Sequence, residues 1–150
     1  MRRMTQEEMR LVIGRCRWAT ICSVCEDGSP YAIEATPFFM GDAHCFMINP
    51  RGGTWRNLRG NPQVLLKYTL ATEDLSVWAG VSCRGPGEFV HDANALCEGW
   101  GLLGKVMGAD YSQAAEKFAR CADRSPLFRV LAAETTGRCS ASKDEDFVLP

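Results

Sequence analysis

The stretch WATICSVCEDGSPYAIEATPFFMGDAHCFMI, residues 18–48, predicts three consecutive antiparallel strands. Its first part, residues 18–25, is apolar and β-branched, and it ends at an Asp-Gly pair that favours a tight hairpin turn. Residues 31–39 then alternate between two faces as the return strand, and Pro37 places the end of that strand at an edge or bulge. A meander of this kind is typical of a β-barrel or a β-sandwich.

The residues on either side of the meander predict further strands and helices. Thr5 and Glu8 fit the capping box of a first helix. A Gly-Pro-Gly run at residues 85–87 predicts a bend within a long strand. The other predicted elements are a helix over 55–59 capped by Thr54, strands over 64–70 and about 75–90, helices from Asp92 to about Met107 and from Asp110 onward, and a last strand over 127–133. We therefore expect roughly six strands and four helices.

Length, composition and charge exclude several classes of protein. The 150 residues, 46% of them hydrophobic, suit one globular domain over 1–150, with a core at about 9–140 and an acidic C-terminal tail at 141–150. A net charge of −1 argues against nucleic-acid binding. Neither a membrane span nor a secretory signal is visible. We expect a cytoplasmic protein that binds no membrane.

Eight cysteines are the least usual part of the composition. Cys22 and Cys25 form a CxxC pair, which is typical of a redox dithiol or half of a zinc site. Within a strand, however, this odd separation sends the two side chains to opposite faces, and the spacing of the other cysteines fits no zinc pattern. We predict no metal site and interpret most of the thiols as small buried hydrophobic groups. A cysteine-based metal or redox protein remains a third hypothesis.

The histidines and carboxylates form no evident catalytic set. His44 and His91 have neither a serine nor a helical histidine partner nearby in the sequence, which favours structural or surface roles. Heme ligation is the more specific but less favoured alternative for either histidine. Glu34 is alone in its strand and is expected to point to solvent. The catalytic residues are therefore unknown at this stage.

The segment 49–61 has what a phosphate group needs. It lies in a stretch, residues 43–72, that contains no acidic residue. A glycine pair, a hydroxyl at a helix start, free N-terminal amides and arginines together provide hydrogen-bond donors and countercharge. Trp55 adds a flat apolar surface for a ring, so a phosphate on an aromatic cofactor would suit the segment, whereas a solvated connector is the alternative. The candidate residues are Asn49, Arg51, Gly52, Gly53, Thr54, Trp55 and Arg56.

Five short blocks of sequence occur in an order that resembles the flavin-binding split β-barrel proteins. They lie at residues 16–20, 26–32, 55–64, 85–90 and 134–138. The nearest branch looks like the small proteins related to pyridoxamine 5′-phosphate oxidase, which include the nitroimidazole-resistance proteins. The resemblance covers about residues 9–140. It implies a mainly β protein with helices (α+β), built as a six-stranded antiparallel split β-barrel with flanking helices.

The resemblance also implies a homodimer that holds FMN in a groove at the dimer interface. In such proteins the backbone of the second strand lies along the flavin ring, and the turn before the short helix takes the phosphate. The first mapping falls on Glu34, Ala35 and Thr36, and the second falls on Arg51, Gly52, Gly53, Thr54 and Trp55.

Two positions depart from the family pattern. Thr54 stands where many relatives carry a lysine for the phosphate, so Arg51 or Arg56 would have to substitute. Met47 stands where nitroimidazole-resistance proteins carry a histidine.

The resemblance implies an FMN-dependent oxidoreductase that acts on a small soluble substrate. The flavin supplies the redox chemistry, while the protein positions the ring and tunes it through hydrogen bonds. His44 and Tyr68 are candidates for a proton donor only by elimination. The alternative is a non-enzymatic flavin- or heme-binding protein that acts as a sensor or carrier.

Overall fold

The computed structural model describes residues 1–120, 122–142 and 147–149. The strands are β1 (Arg2–Arg3), β2 (Ala19–Val24), β3 (Pro30–Ala35), β4 (Phe38–Met40), β5 (Ala43–Met47), β6 (Gln63–Ala71), β7 (Trp78–Phe89), β8 (Leu127–Val130) and β9 (Glu134–Cys139), and the helices are α1 (Gln6–Arg15), α2 (Gly53–Gly60), α3 (Ala93–Met107) and α4 (Ser112–Ala119). The acidic run 143–146 of the predicted tail lies outside the described residues. In the described part of the chain, no helix is long and apolar enough to cross a bilayer.

The sheet curls into a barrel that stays open along one seam. Its strands follow the order β3-β2-β6-β7-β8-β5-β4, and β9 pairs with β7 and β1. Strands β3 and β4 lie at opposite ends of this path, although only residues 36–37 separate them in the chain. Because so short a link spans only about 10 Å, the two ends of the path must lie close together. The seam between them is the split in the barrel.

Strand β7 joins the two halves of the barrel. It pairs with β6 and β9 along most of its length, and with β8 at its end, from Gly87 to Phe89. A Cβ on Gly87 would overlap the ring of Phe128, and a Cβ on Gly85 would come within 2.8 Å of the Leu131 carbonyl oxygen. Glycine is therefore required at both positions for the close approach of β8 and the segment after it. The bend predicted at residues 85–87 is a continuous strand that changes partners.

Two groups of buried side chains hold the fold together. The larger group fills the barrel and the spaces under α1 and α2, and it includes Val12, Ile21, Leu58, Leu66, Tyr68 and Val81. The smaller group packs α3 against β4, β5 and β8, and it includes Phe38, Cys45, Leu96 and Leu127. The seam lies where these two groups meet, since β3 and α2 border the first and β4 and α3 border the second.

The structure confirms the fold class and corrects several element boundaries. The Thr5 capping box is present, and β2 pairs with β3 as the predicted hairpin. The predicted strand 31–39 is divided into β3 and β4, because the chain must cross the seam at Pro37. The predicted strand 127–133 ends at Val130, and β9 is a further strand that the sequence reading missed. The division, β9 and the short strand β1, which was also not predicted, together explain why nine strands are described where six were expected.

Candidate functional site

A groove of about 320 Å³ opens beside the seam of the barrel. Its walls come from the end of β3, the end of β5, the start of α2 and the end of α3. Six of the ten predicted binding residues line it, namely Glu34, Ala35, Thr36, Asn49, Gly52 and Thr54. The fold therefore brings together two segments that the sequence reading mapped separately, the return strand and the loop before the short helix.

The β3 wall of the groove is an edge of the sheet. Strand β3 pairs with β2 in a register that sets Ala35 opposite Ala19 and Glu34 opposite Thr20. Its other edge has no strand partner within the described residues, so backbone groups on that edge remain available to a ligand. The exposed Glu34 carboxylate accepts a 2.8 Å hydrogen bond from Thr20 Oγ1. The expectation that this side chain is solvent-exposed is therefore confirmed.

The α2 wall begins with a glycine where a threonine was expected. Gly52, not Thr54, is the N-cap, and it provides no side-chain cap. The Gly52 carbonyl oxygen accepts from the Arg56 amide at 3.4 Å, so the amides of residues 53–55 precede the first intrahelical bond. Thr54 lies in the first turn, is only 6% exposed and lines the groove. This uncapped start is a place where an anion finds backbone donors and a favourable helix dipole.

The loop before α2 is held by short-range hydrogen bonds from one residue. The Asn49 carbonyl oxygen accepts from the Gly52 amide at 2.9 Å, and Asn49 Oδ1 accepts from the Arg51 amide at 3.0 Å. These bonds turn the chain so that Gly52 and Thr54 face the groove while Arg51 faces away from it. Asn49 is therefore a positioning residue for the start of the helix.

Three other predicted residues of this segment lie outside the groove. Arg51, Trp55 and Arg56 line a separate concavity of about 500 Å³, together with Arg59 and Arg124. The Arg56 guanidinium also lies close to the helix start, because Nη2 is 3.9 Å from the position that a Cβ on Gly53 would take. Arg56, one of the two arginines considered as substitutes for a lysine, therefore has its guanidinium beside the start of the helix.

Trp55 is a core side chain, which corrects the expectation of an open apolar surface. The residue is only 9% exposed. Its Nε1 donates to the Ser125 carbonyl oxygen at 3.0 Å, and its ring packs against Phe89 with 5.6 Å between centroids. The Arg59 guanidinium lies over the same ring at 4.7 Å. These contacts cover the indole ring, engage its N–H group and anchor α2 to the barrel.

Three residues near the end of α3 line the groove, and the sequence reading missed them. They are Leu103, Met107 and Tyr111. The Thr36 hydroxyl lies 3.6 Å from Met107 Sδ across the groove. Apolar residues at helical spacing predict a buried helix face, which gives no sign that the end of that face borders a site. Met47, at the position where some relatives carry histidine, also lies in this wall.

His44 and Tyr68 do not reach the groove, which corrects their candidacy as proton donors there. Both side chains point into the barrel, with exposed fractions of 7% and 0%. His44 lines a second cavity of about 630 Å³, which we name the α1 cavity because Gln6, Met9, Arg10, Ile13 and Gly14 form one wall. Burial lowers the pKa of His44 and raises the pKa of Tyr68. His44 is therefore neutral at pH 7, and Tyr68 retains its proton.

The His44–Tyr68 contact determines which imidazole nitrogen carries the proton. His44 Nδ1 lies 2.7 Å from the Tyr68 hydroxyl oxygen. No second partner for that hydroxyl lies within the described residues. A buried O–H group needs an acceptor, so Tyr68 donates to Nδ1, and the proton of the neutral imidazole is on Nε2. His44 thus presents an N–H donor at its other edge.

The buried cysteines among the described residues are poorly suited to redox or metal chemistry. Cys16, Cys45, Cys83 and Cys139 are buried, and burial raises the pKa of Cys45 to about 11. Such thiols are poor nucleophiles and poor metal ligands at neutral pH. Within the described ranges, no group of three or more potential ligands could hold a metal ion. Cys121 lies outside the described residues.

The curled antiparallel sheet, open at one seam beside a helix start, defines a split β-barrel protein. A family model described as pyridoxamine 5′-phosphate oxidase matches residues 5–139. Because this match spans most of the 150 residues, the chain belongs to the pyridoxamine 5′-phosphate oxidase family. No curated protein matches the sequence.

Solved structures share the fold at low sequence identity. A candidate 5-nitroimidazole antibiotic resistance protein from Bacteroides thetaiotaomicron has a TM-score of 0.74 and 16% identity, over 92% of this chain and 86% of that chain. A FAD-binding protein from Mesorhizobium loti has a TM-score of 0.71 and 18% identity, over 93% and 98%. The heme storage protein of Vibrio cholerae has a TM-score of 0.67 and 16% identity, over 86% and 90%. Identities this low show a common fold.

Proposed function

We propose that this chain is an FMN-dependent oxidoreductase that acts on a small soluble substrate and holds its flavin at the interface of a homodimer. The observation that carries the proposal is that the free edge of β3 and the uncapped start of α2 converge on one groove. The solved neighbours support a ligand of this kind, since one is described as a FAD-binding protein and another as a heme storage protein.

The start of α2 suits the phosphate of FMN. The amides of residues 53–55 have no intrahelical acceptor, and Gly52 brings no side chain between them and the groove. The Thr54 hydroxyl and the nearby Arg56 guanidinium add a further donor and a positive charge. Together they supply the backbone donors, dipole and countercharge that bind a phosphate without a lysine.

The rest of the groove suits a flat ring with a polar edge. Backbone groups of residues 34–36 border one side, and Met47, Leu103 and Met107 provide apolar contact. Bound FMN would supply hydride and electron transfer. Glu34 is the only carboxylate among the lining residues, which include no imidazole. The chain therefore contributes binding, orientation and exclusion of water. The hydroxyls of Thr36, Thr54 and Tyr111 can donate hydrogen bonds to the ligand.

The homodimer is proposed because the groove has an uncovered side. Strand β3 is exposed along most of its length, and Tyr31 on it is 40% exposed. Trp18, which directly precedes β2, is 62% exposed. A second copy that covered this edge would bury these rings and complete the wall of the groove. Sedimentation equilibrium tests this part of the proposal, and a monomer in the presence of saturating FMN would contradict it.

Titration with FMN tests the binding. We expect quenching of flavin fluorescence with a micromolar Kd, and no binding up to about 100 μM would overturn the proposal. Arg56→Gln is expected to weaken FMN binding about tenfold, since it removes the positive charge beside the free amides. Arg59→Gln is the matched control, because it makes the same charge change on the same helix, where the guanidinium covers Trp55. Equal losses in the two variants would contradict a phosphate at the helix start.

Reduction of the bound flavin separates the enzyme from its alternative. We expect a reduced nicotinamide to bleach the flavin absorbance under anaerobic conditions, and oxygen or a small acceptor to restore it. A second candidate function is a flavin carrier or sensor, favoured because the described residues that line the groove include no imidazole. Tight FMN binding, with no reduction of the bound flavin by NADH or NADPH, would support that candidate.

Heme binding through His44 is less compatible with the hydrogen bonds. A histidine that ligates a metal through Nε2 needs a bare Nε2 and usually donates its other N–H. In this barrel Nδ1 accepts from Tyr68, so Nε2 carries the proton. His91 is exposed and lines neither the groove nor the α1 cavity. A Soret band with added hemin that disappears in His44→Ala would support heme binding and contradict this proton assignment.

A further inference from the structure

The α1 cavity contains a buried polar group that the proposed flavin site does not use. The cavity lies between α1, the β4–β5 turn and the segment that follows β8, and its volume of about 630 Å³ is in the range of small-molecule sites. His44 lines it and is more than nine-tenths buried. The groove residues and the α1 cavity residues do not overlap. The α1 cavity is therefore a separate place where a ligand could bind.

His44 offers one hydrogen-bond donor to this cavity. Its Nδ1 is engaged by Tyr68, so Nε2 is the polar atom that remains. No partner for Nε2 lies within the described residues. Phe39 packs edge-on against the imidazole with 5.5 Å between ring centroids, which limits how the ring can turn. Among the described residues Nε2 is not one of the fully buried unpartnered atoms, so the acceptor of a ligand would replace water at this donor.

The other walls of the cavity are mixed, since Gln6 and Thr135 add polar groups, and its charged groups balance. Met9, Ile13, Phe39 and Leu131 provide hydrocarbon surface. Arg10 and Asp42 are exposed residues of opposite charge, so they add no net charge to the cavity. A charged ligand would lose solvation on reaching His44 and would gain only a neutral donor there. These walls therefore favour an uncharged ligand.

We propose that the α1 cavity binds a small, uncharged molecule that carries an acceptor oxygen on an apolar body, such as an aromatic ketone or aldehyde. The oxygen accepts from His44 Nε2, and the apolar body packs between α1 and Phe39. This site is independent of the proposed flavin groove, so it stands or fails separately from FMN binding.

Nitrogen NMR of the histidine side chains tests the donor directly. In the unliganded protein we expect the neutral His44 ring to carry its proton on Nε2. Addition of acetophenone is expected to shift the Nε2–H signal, because a carbonyl oxygen then accepts from it. A proton on Nδ1, or an unchanged Nε2–H signal at saturating acetophenone, would overturn the proposal.

Matched probes separate the hydrogen bond from general apolar binding. Ethylbenzene has nearly the shape of acetophenone and lacks the acceptor, so we expect it to bind about tenfold more weakly. Benzoate carries a charge and is also expected to bind more weakly than acetophenone. Equal binding of acetophenone and ethylbenzene would contradict the role of His44, and tighter binding of benzoate would contradict an uncharged ligand.

A variant pair assigns the effect to the cavity. His44→Phe keeps an aromatic ring and removes the donor, so it is expected to lower acetophenone affinity about tenfold and to leave ethylbenzene binding unchanged. Glu7→Gln is the control on the exposed face of α1, outside the cavity lining, and is expected to change neither. An unchanged acetophenone affinity in folded His44→Phe would overturn the proposal. If that variant does not fold, the NMR experiment on the unaltered protein still decides the question.

Discussion

The groove beside the seam and the α1 cavity use different parts of the polypeptide to offer polar groups. The groove presents the free edge of β3 and the amides at the start of α2, which belong to the backbone. The α1 cavity presents one side chain, His44, held by another, Tyr68. A backbone site is changed only by adding bulk or charge near it, whereas a side-chain site is lost by a single truncation.

The groove and the α1 cavity also differ in how well they tolerate amino-acid substitutions. Thr54 departs from the lysine of many relatives, yet the amides beside it remain in place because Gly52 and the helix position them. His44 depends on the Tyr68 hydroxyl for its proton position. We therefore expect the two sites to respond independently to local changes, and to fail together only when the barrel itself is disrupted.

Gly87→Val is expected to give the largest effect and to remove both sites. A Cβ at this position would overlap the Phe128 ring, so β7 and β8 would have to separate. We expect a loss of about 3 kcal/mol in the free energy of unfolding, measured with urea. Gly101→Ala is the control, since nothing lies within 4 Å of its Cβ position in α3, and it is expected to be neutral or stabilising. Similar stability of Gly87→Val and the unaltered protein would contradict the close contact.

Thr54→Glu is expected to affect only the groove. The new carboxylate lies in the first turn of α2, where it interacts favourably with the helix dipole but repels a phosphate. We expect FMN affinity to fall about 100-fold, together with some loss of thermal stability because Thr54 is only 6% exposed. Thr54→Gln, of similar size and without charge, is expected to lose much less FMN affinity. A change in the His44 NMR signals in Thr54→Glu would show that the two sites are coupled.

Tyr68→Phe is expected to affect only the α1 cavity. It removes the donor to His44 Nδ1 and leaves that buried nitrogen without its partner, which costs about 1–2 kcal/mol of stability. We expect the Nε2–H form of His44 to lose its preference, as measured by nitrogen NMR, while FMN affinity stays unchanged. Weaker FMN binding in this variant would show that the barrel interior supports the groove.

Glu8→Gln is expected to have the smallest effect, on the helix that forms one wall of the α1 cavity. Hydrogen bonds from Arg2 lower the pKa of Glu8 to about 2, and the Thr5 amide contributes. Because the folded pKa is below the unfolded value of 4.5, the stabilisation is complete above pH 4.5 and is lost as pH falls toward 2. Urea unfolding at pH 7 should show a loss of about 0.5 kcal/mol in Glu8→Gln, because the ion pair with Arg2 is lost while glutamine still fits the capping box. The difference between the two proteins should shrink in acid, and a constant difference would contradict this cause.

Local features were predictable because short-range interactions determine them. The Thr5 capping box depends on residues three apart, and the β2–β3 hairpin depends on the turn at Gly28, whose φ of 83° suits glycine. The start of α2 was predicted within two residues. Its N-cap is Gly52. The hydrogen bond from the Gly52 amide to the Asn49 carbonyl oxygen turns the chain, so the helix begins two residues earlier than Thr54 would allow as a cap.

Long-range features were not predictable from the pattern of residues. Trp55 was expected to offer a surface, but its N–H bonds to Ser125, 70 residues away, and the ring is buried. Tyr111 and Met107 line the groove only because α3 packs across β4. His44 and Tyr68 meet because their strands face each other across the barrel interior, and no spacing in the sequence encodes that contact.

The sequence alone determined the family and the antiparallel β class, since these depend on turns, periodicity and short ordered blocks, and it predicted residues 49–61 as a phosphate site. The tertiary structure decided which of those residues face the groove and which support it. The physical reason is the curling of the sheet, which brings β3 and β4 close together although they lie at opposite ends of the strand path. That closure creates both the seam that could hold a flavin and the enclosed barrel in which His44 acquires its partner.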